Sequence, residues 1–90
     1  MALMVSWIVR SDPPILELLD ECDLALPPAV IHYNIDRVSH PTVKRRIAVM
    51  LEHDFVRKVD ERGGYYRITD RGRAYLAGEL DVEDLEADEE

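Results

Sequence analysis

An α+β domain with a single small core is what this sequence predicts, and three observations predict it. Three stretches with helical character come first, each with proline at or near its start. Two short runs rich in β-branched and aromatic residues follow, divided by a pair of glycines, and a last helical stretch closes the series. The chain has 90 residues, which suits one domain; a chain this short buries only about 60 to 65% of the surface its unfolded form exposes.

The first helix is expected over about residues 13–22, with Asp12 as N-cap, Pro13 at the first helical position and Ile15, Leu18, Leu19 and Cys22 as its apolar face. Ala25 and Leu26 precede proline and are pushed toward an extended piece. Pro27 and Pro28 suit the first turn of a short second helix ending near Asn34, and Asn34 and Asp36 are turn formers. Ser39 is placed to cap a third helix over about residues 40–53, with Pro41 tolerated in its first turn. Asp54 is the residue expected to end it in the left-handed conformation.

FVRKVD and YYRIT then read as the arms of a hairpin, with Gly63 and Gly64 supplying positive φ at its turn. Tyr66 and Ile68 fall on one face of the second arm, Tyr65 and Arg67 on the other. Thr69 caps the final helix, DRGRAYLAGEL, whose stripe is Tyr75, Leu76 and Leu80; Gly72 and Gly78 weaken it, each by about 1 kcal/mol if interior. The expected organisation is an apolar arm at residues 1–11, a folded domain at 12–80, and an acidic tail at 81–90 whose charge density predicts disorder. No internal repeat is visible.

Charge is distributed unevenly. Residues 1–36 carry one base and six acids, residues 37–73 ten bases and five acids, and residues 74–90 eight acids and no base, within a net charge of -8. A basic middle between acidic ends is the pattern expected of a polyanion-binding surface, with a solvated charged face as its competitor. Projection of the third helix at about 100° per residue groups Val43, Ile47, Met50 and Leu51 as the core face. Arg45 lies almost opposite, with Lys44 and Arg46 on the flanks, so the three bases are expected to fan across the exposed half.

Several functional classes find no support. MALMVSWIV is too short to span a bilayer and has neither the basic leader nor the cleavage site of a secretory signal, so the chain is expected in the cytoplasm. Cys22 is alone and reads as a small buried hydrophobe. Cys22, His32, His40 and His53 lack metal-ligand spacing, so no metal or other cofactor is expected. No nucleophile elbow, phosphate loop or carboxylate pair points to an enzyme, and no small-molecule ligand site is apparent.

Helix, short strand, helix, helix, hairpin, helix is the element order of a winged helix-turn-helix domain, the hairpin being the wing. VSHPTVKRRIAVMLEHDFV resembles the recognition-helix signature of winged helix regulators of the MarR and ArsR type, and RGGYYRITDRGRAYLAGEL resembles their wing and following helix. LPPAVIHYN with YYRITDRGRAYLAGELD is similar to the short repressor-like winged helix proteins of halophilic archaea related to the phage phiH repressor. Asp36 and Arg37, and Asp54, stand where many relatives carry glycine.

The resemblance implies a transcriptional repressor that binds double-stranded DNA as a homodimer, with the third helix in the major groove and the wing along backbone or minor groove. It also implies that the acidic composition is salt adaptation. On the recognition helix, Arg45 suits a guanine edge and Thr42 a thymine methyl or base edge, while Lys44 and Arg46 suit phosphates. Ser39 can touch phosphate as well as cap, and His40 and Val49 complete the face. On the wing, Arg57, Lys58, Arg62 and Arg67 extend the contact. Val5, Trp7, Ile8, Leu76, Leu80 and Leu85 are the spare apolar material for dimerisation, with Trp7 as the alternative lid of the core. The competing reading is a winged helix that binds another protein and no specific DNA.

Overall fold

A computed structural model describes residues 7–35, 37–59 and 64–80. Its elements run α1 (Asp12–Cys22), α2 (Pro28–Asn34), α3 (His40–Glu52), β1 (Val56–Lys58), β2 (Tyr66–Ile68) and α4 (Asp70–Leu76). The strands pair antiparallel, with Val56 opposite Ile68, Arg57 opposite Arg67 and Lys58 opposite Tyr66. The extended piece expected before α2 is present: Leu26 exchanges both backbone hydrogen bonds with Tyr66, each 2.9 Å, and borders β2 on its other edge. The turn at residues 60–63, Asp36, residues 1–6 and the acidic tail from residue 81 lie outside the described residues, and with them Arg62, Gly63, Val5 and Leu85.

Ile15, Leu16 and Leu19 of α1, Ile31 of α2, and Val43, Ile47 and Met50 of α3 form the core with Phe55, Val56, Ile68 and Tyr75. Two helix faces differ from the sequence expectation by a rotation. On α1 the buried set is Asp12, Ile15, Leu16 and Leu19, while Leu18 is only partly buried and Cys22 is exposed, not a buried hydrophobe. On α3 Leu51 is 40% exposed, and Arg46 turns inward in its place. On α1 the buried face turns toward Leu16, an apolar residue outside the expected stripe, as well as toward Asp12. Asp12 and Arg46 meet between the helices, and a hydrophobic projection gives such a pair no weight. Asp12 is therefore the first residue of α1 rather than its N-cap; Ser11 holds the cap position without a side-chain bond.

The helix ends follow local chemistry. Asp54 is left-handed at φ 63°, so that Asp54 N–H reaches the Leu51 carbonyl and Phe55 N–H reaches the Met50 carbonyl at 2.9 Å. That turn drives Phe55 straight from the helix end into the core. Asp23 ends α1 in the same way at φ 51°. The Thr69 hydroxyl accepts from Gly72 N–H at 3.0 Å and donates to the Asp54 carbonyl at 2.6 Å, joining the α4 cap to the α3 terminus.

Neither glycine of the last helix acts as an interior weakness. A Cβ on Gly72 would lie 2.4 Å from the Phe55 carbonyl oxygen, so the residue is small because backbone passes against it. Gly78 is at φ 74° beyond the helix end, where Glu79 N–H bonds the Ala74 carbonyl, and α4 stops at Leu76 rather than reaching Leu80.

Candidate nucleic-acid interface

The recognition-helix position is built from its cap outward. Ser39 is extended, accepts from Thr42 N–H at 3.3 Å and donates its own hydroxyl proton to Thr42 Oγ1 at 2.9 Å. With Val43, Ile47 and Met50 buried, α3 turns His40, Pro41, Lys44, Arg45 and Ala48 to solvent, and leaves Thr42 and Val49 half-buried at the margins. Lys44 and Arg45 make no ion pair or side-chain hydrogen bond among the described residues. That leaves both cations accessible on the face opposite the core.

Arg46 does not belong to this fan. Its Nε donates to Asp12 Oδ1 at 2.9 Å, and its Nη2 to Asp12 Oδ2 and to the Trp7 carbonyl, each 2.8 Å, with side chains only 13% and 1% exposed. Hydrogen bonding to Asp12 holds the guanidinium above its ordinary pKa, outweighing the desolvation that opposes it. Such a fork holds the guanidinium against the carboxylate in a fixed plane and commits its Nε and Nη2 donors, so that little of the side chain is open to a phosphate. Trp7, whose carbonyl receives this bond, packs against the core, its ring stacked on His53 with centroids 3.7 Å apart and edge-on to Phe55 at 5.1 Å. Ile8 is buried beside it, and Leu76 and Leu80, like Trp7, are partly buried and pack against the same core.

The wing residues also separate. Arg57 and Lys58 are exposed on β1. Arg67, directly across from Arg57, instead bonds the carbonyl and Oδ1 of Asp23, each at 2.9 Å. Arg73 joins the cluster through Asp20 at 3.0 Å and Asp23 at 2.7 Å. The two guanidiniums hold the Asp23 carboxyl below its ordinary range, Arg67 contributing more. An acid at the end of α1 thus takes up one of the two like charges that the strand register sets opposite each other.

One residue of this surface was invisible to composition and spacing. His32, half-buried on α2, bonds the Val38 carbonyl through Nδ1 at 2.7 Å and stacks on His40 with centroids 5.7 Å apart and planes 16° from parallel. A lone histidine on a short helix carries no signal of the bond it closes. Among the described residues no group of three or more His, Cys, Asp or Glu is placed to hold a metal ion, and no helix is long and apolar enough to cross a membrane.

Three helices followed by a two-stranded wing and a fourth helix, with the third helix presenting its outer face, define a winged helix-turn-helix domain. The sequence matches the winged helix-turn-helix phage repressor family over residues 1–88, and the chain belongs to that family. It is 32% identical over 89 residues to the repressor protein of Halobacterium phage phiH, covering 91% of this chain and 93% of the relative. The crystal structure of the PhiH1 repressor-like protein from Haloarcula marismortui superposes with a TM-score of 0.79 at 32% identity, covering 91% of each chain.

Proposed function

We propose that this protein is a non-enzymatic, sequence-specific repressor of transcription that binds double-stranded DNA as a homodimer in the cytoplasm. The observation that carries the reading is how the cations of the basic middle segment are used. Arg46, Arg67 and Arg73 are taken up by Asp12, Asp20 and Asp23, whereas Lys44 and Arg45 on the outer face of α3, and Arg57 and Lys58 on the wing, stand exposed. In a chain of net charge -8, acids are plentiful enough to neutralise these four. Their exposure favours an anionic partner over a merely solvated face.

In this reading α3 enters the major groove, Arg45 contacts a guanine edge, Thr42 and His40 approach neighbouring bases, and Lys44 with the wing bases neutralises phosphates. Pairing of two copies supplies the base contacts that one helix and one wing lack. Membership of a phage repressor family and the repressor of phage phiH among its relatives support the regulatory role.

Selection from random duplexes at several salt concentrations tests it. A recovered inverted-repeat sequence, with affinity falling by about 0.9 log units per log unit of salt for each phosphate neutralised, is the expected result. Recovery of no preferred sequence, or a mass of 10.4 kDa at every concentration together with one chain per bound duplex, contradicts it.

A further inference from the structure

We infer that His32, which lies outside the outer face of α3, is the positioning residue that sets how the start of the recognition helix meets the bases. The inference rests on the DNA-binding reading and adds a residue to it. His32 acts at both sides of the turn between α2 and α3. Its backbone carbonyl receives Ile35 N–H at 3.1 Å and so closes the end of α2. Its Nδ1 donates to the carbonyl of Val38 at 2.7 Å. Val38 immediately precedes Ser39, the residue that caps α3. The orientation of the peptide leading into the cap is thereby tied to a side chain on the preceding helix.

The same ring supports His40, the first residue of α3, by stacking on it. His40 is exposed and would otherwise sample several rotamers, so a ring held in one plane meets a base edge at lower entropic cost. Ile35 and Val38 are buried on the core side of the turn and anchor it independently of the histidine. The fold therefore has its own hold on this segment, and His32 adds orientation to it.

The bond geometry dictates the variants. The donor to Val38 is attached to Cγ, as is the amide nitrogen of asparagine, whereas the amide nitrogen of glutamine is one atom further out. His32→Asn therefore keeps the bond and loses the stack, His32→Gln misplaces the donor, and His32→Ala removes both. Each is measured on the selected operator and on random duplex, alone and with His40→Ala, with urea unfolding to establish that each is folded under the binding conditions.

The expected result is a loss of about tenfold in the operator-to-random ratio for His32→Ala with little change on random DNA, and a smaller loss for His32→Asn than for His32→Gln. In the His40→Ala background the effect of His32→Ala shrinks, as expected for residues that act as a unit. A ratio equal to wild type in folded His32→Ala overturns the inference, as does equal weakening on both DNAs. Should the alanine variant not fold, equal ratios for asparagine and glutamine overturn it. Wild type without any sequence preference removes the DNA reading and this inference together, whereas a selective wild type with an equally selective His32→Ala removes only the latter.

Discussion

Arg46 and Asp12, 34 residues apart in sequence, form a two-pronged ion pair that joins α3 to α1, with the Trp7 carbonyl bonded to the same guanidinium. The pair fixes which face each helix presents, and so which bases on α3 are left outward. Removing Arg46 leaves the buried Asp12 carboxylate without its ion-pair partner, with the Val9 N–H still bonded to Oδ2. Arg46→Ala is expected to cost about 3 kcal/mol in urea unfolding, and Arg46→Met combined with Asp12→Leu to cost less than the sum of the single variants. A single-variant loss within about 0.5 kcal/mol, the range of an exposed pair, would show that the bridge does not hold the helices together.

Arg45 and Lys44 are neighbours with different expected roles. Arg45→Ala should narrow the gap between operator and random DNA by about 1 to 3 kcal/mol, the scale of one two-pronged base contact. Lys44→Ala should weaken both DNAs alike and lower the salt slope by about 0.9. Titrations at three or more salt concentrations separate the two, and the same profile for both variants contradicts the assignment. Arg46→Ala, measured on its folded fraction, should leave the salt slope unchanged.

Gly72 is fixed by a close approach of backbone. Gly72→Ala places a methyl group 2.4 Å from the Phe55 carbonyl oxygen and 2.8 Å from Ile68 Cγ1, and the first of these cannot swing aside. The expected loss is about 3 kcal/mol despite the better helix propensity of alanine. Among the described residues a Cβ on Gly64 meets Tyr66 Cε2 alone, at 3.8 Å, and Gly64→Ala should change stability by about 0.5 kcal/mol or less. Equal effects of the two in thermal unfolding would count against the close approach of Phe55 and Ile68 to Gly72.

The order of elements was legible because proline, cap and turn residues act locally. Ser39 and Thr69 cap α3 and α4, Asp54 takes the left-handed conformation, and Leu26 pairs with β2, all as their chemistry dictates. Arg45 opposite Val43 and Ile47 was equally readable, since helical spacing alone puts it there. What spacing could not give is pairing between distant charges. Arg46 and Arg67 look like Arg45 in sequence, and only the approach of α1 reveals that Asp12 and Asp23 claim them. Cys22 and Leu51 lie outside the buried faces of their helices, because α1 turns toward Leu16 and Asp12 and α3 turns toward Arg46.

Asp23 gives the fold an acid-side dependence whose sign follows from its partners. Arg67 and Arg73 hold its carboxyl below the ordinary value of 3.8, so below that value the unfolded chain takes up a proton more readily than the folded one. The stabilisation is complete above the ordinary value and is lost as pH falls through the depressed one. Asparagine adopts the left-handed conformation of residue 23 and has no charge to lose, so Asp23→Asn isolates the electrostatic part. Urea midpoints should fall more steeply for wild type than for Asp23→Asn between about pH 4 and pH 2, and converge as the carboxyl is neutralised. Because the pair is open to solvent, salt at about 1 M should shrink the difference. Parallel pH profiles for the two proteins would mean that Asp23 does not bind Arg67 and Arg73 strongly enough to matter, and that the wing base is held by the strand pairing alone.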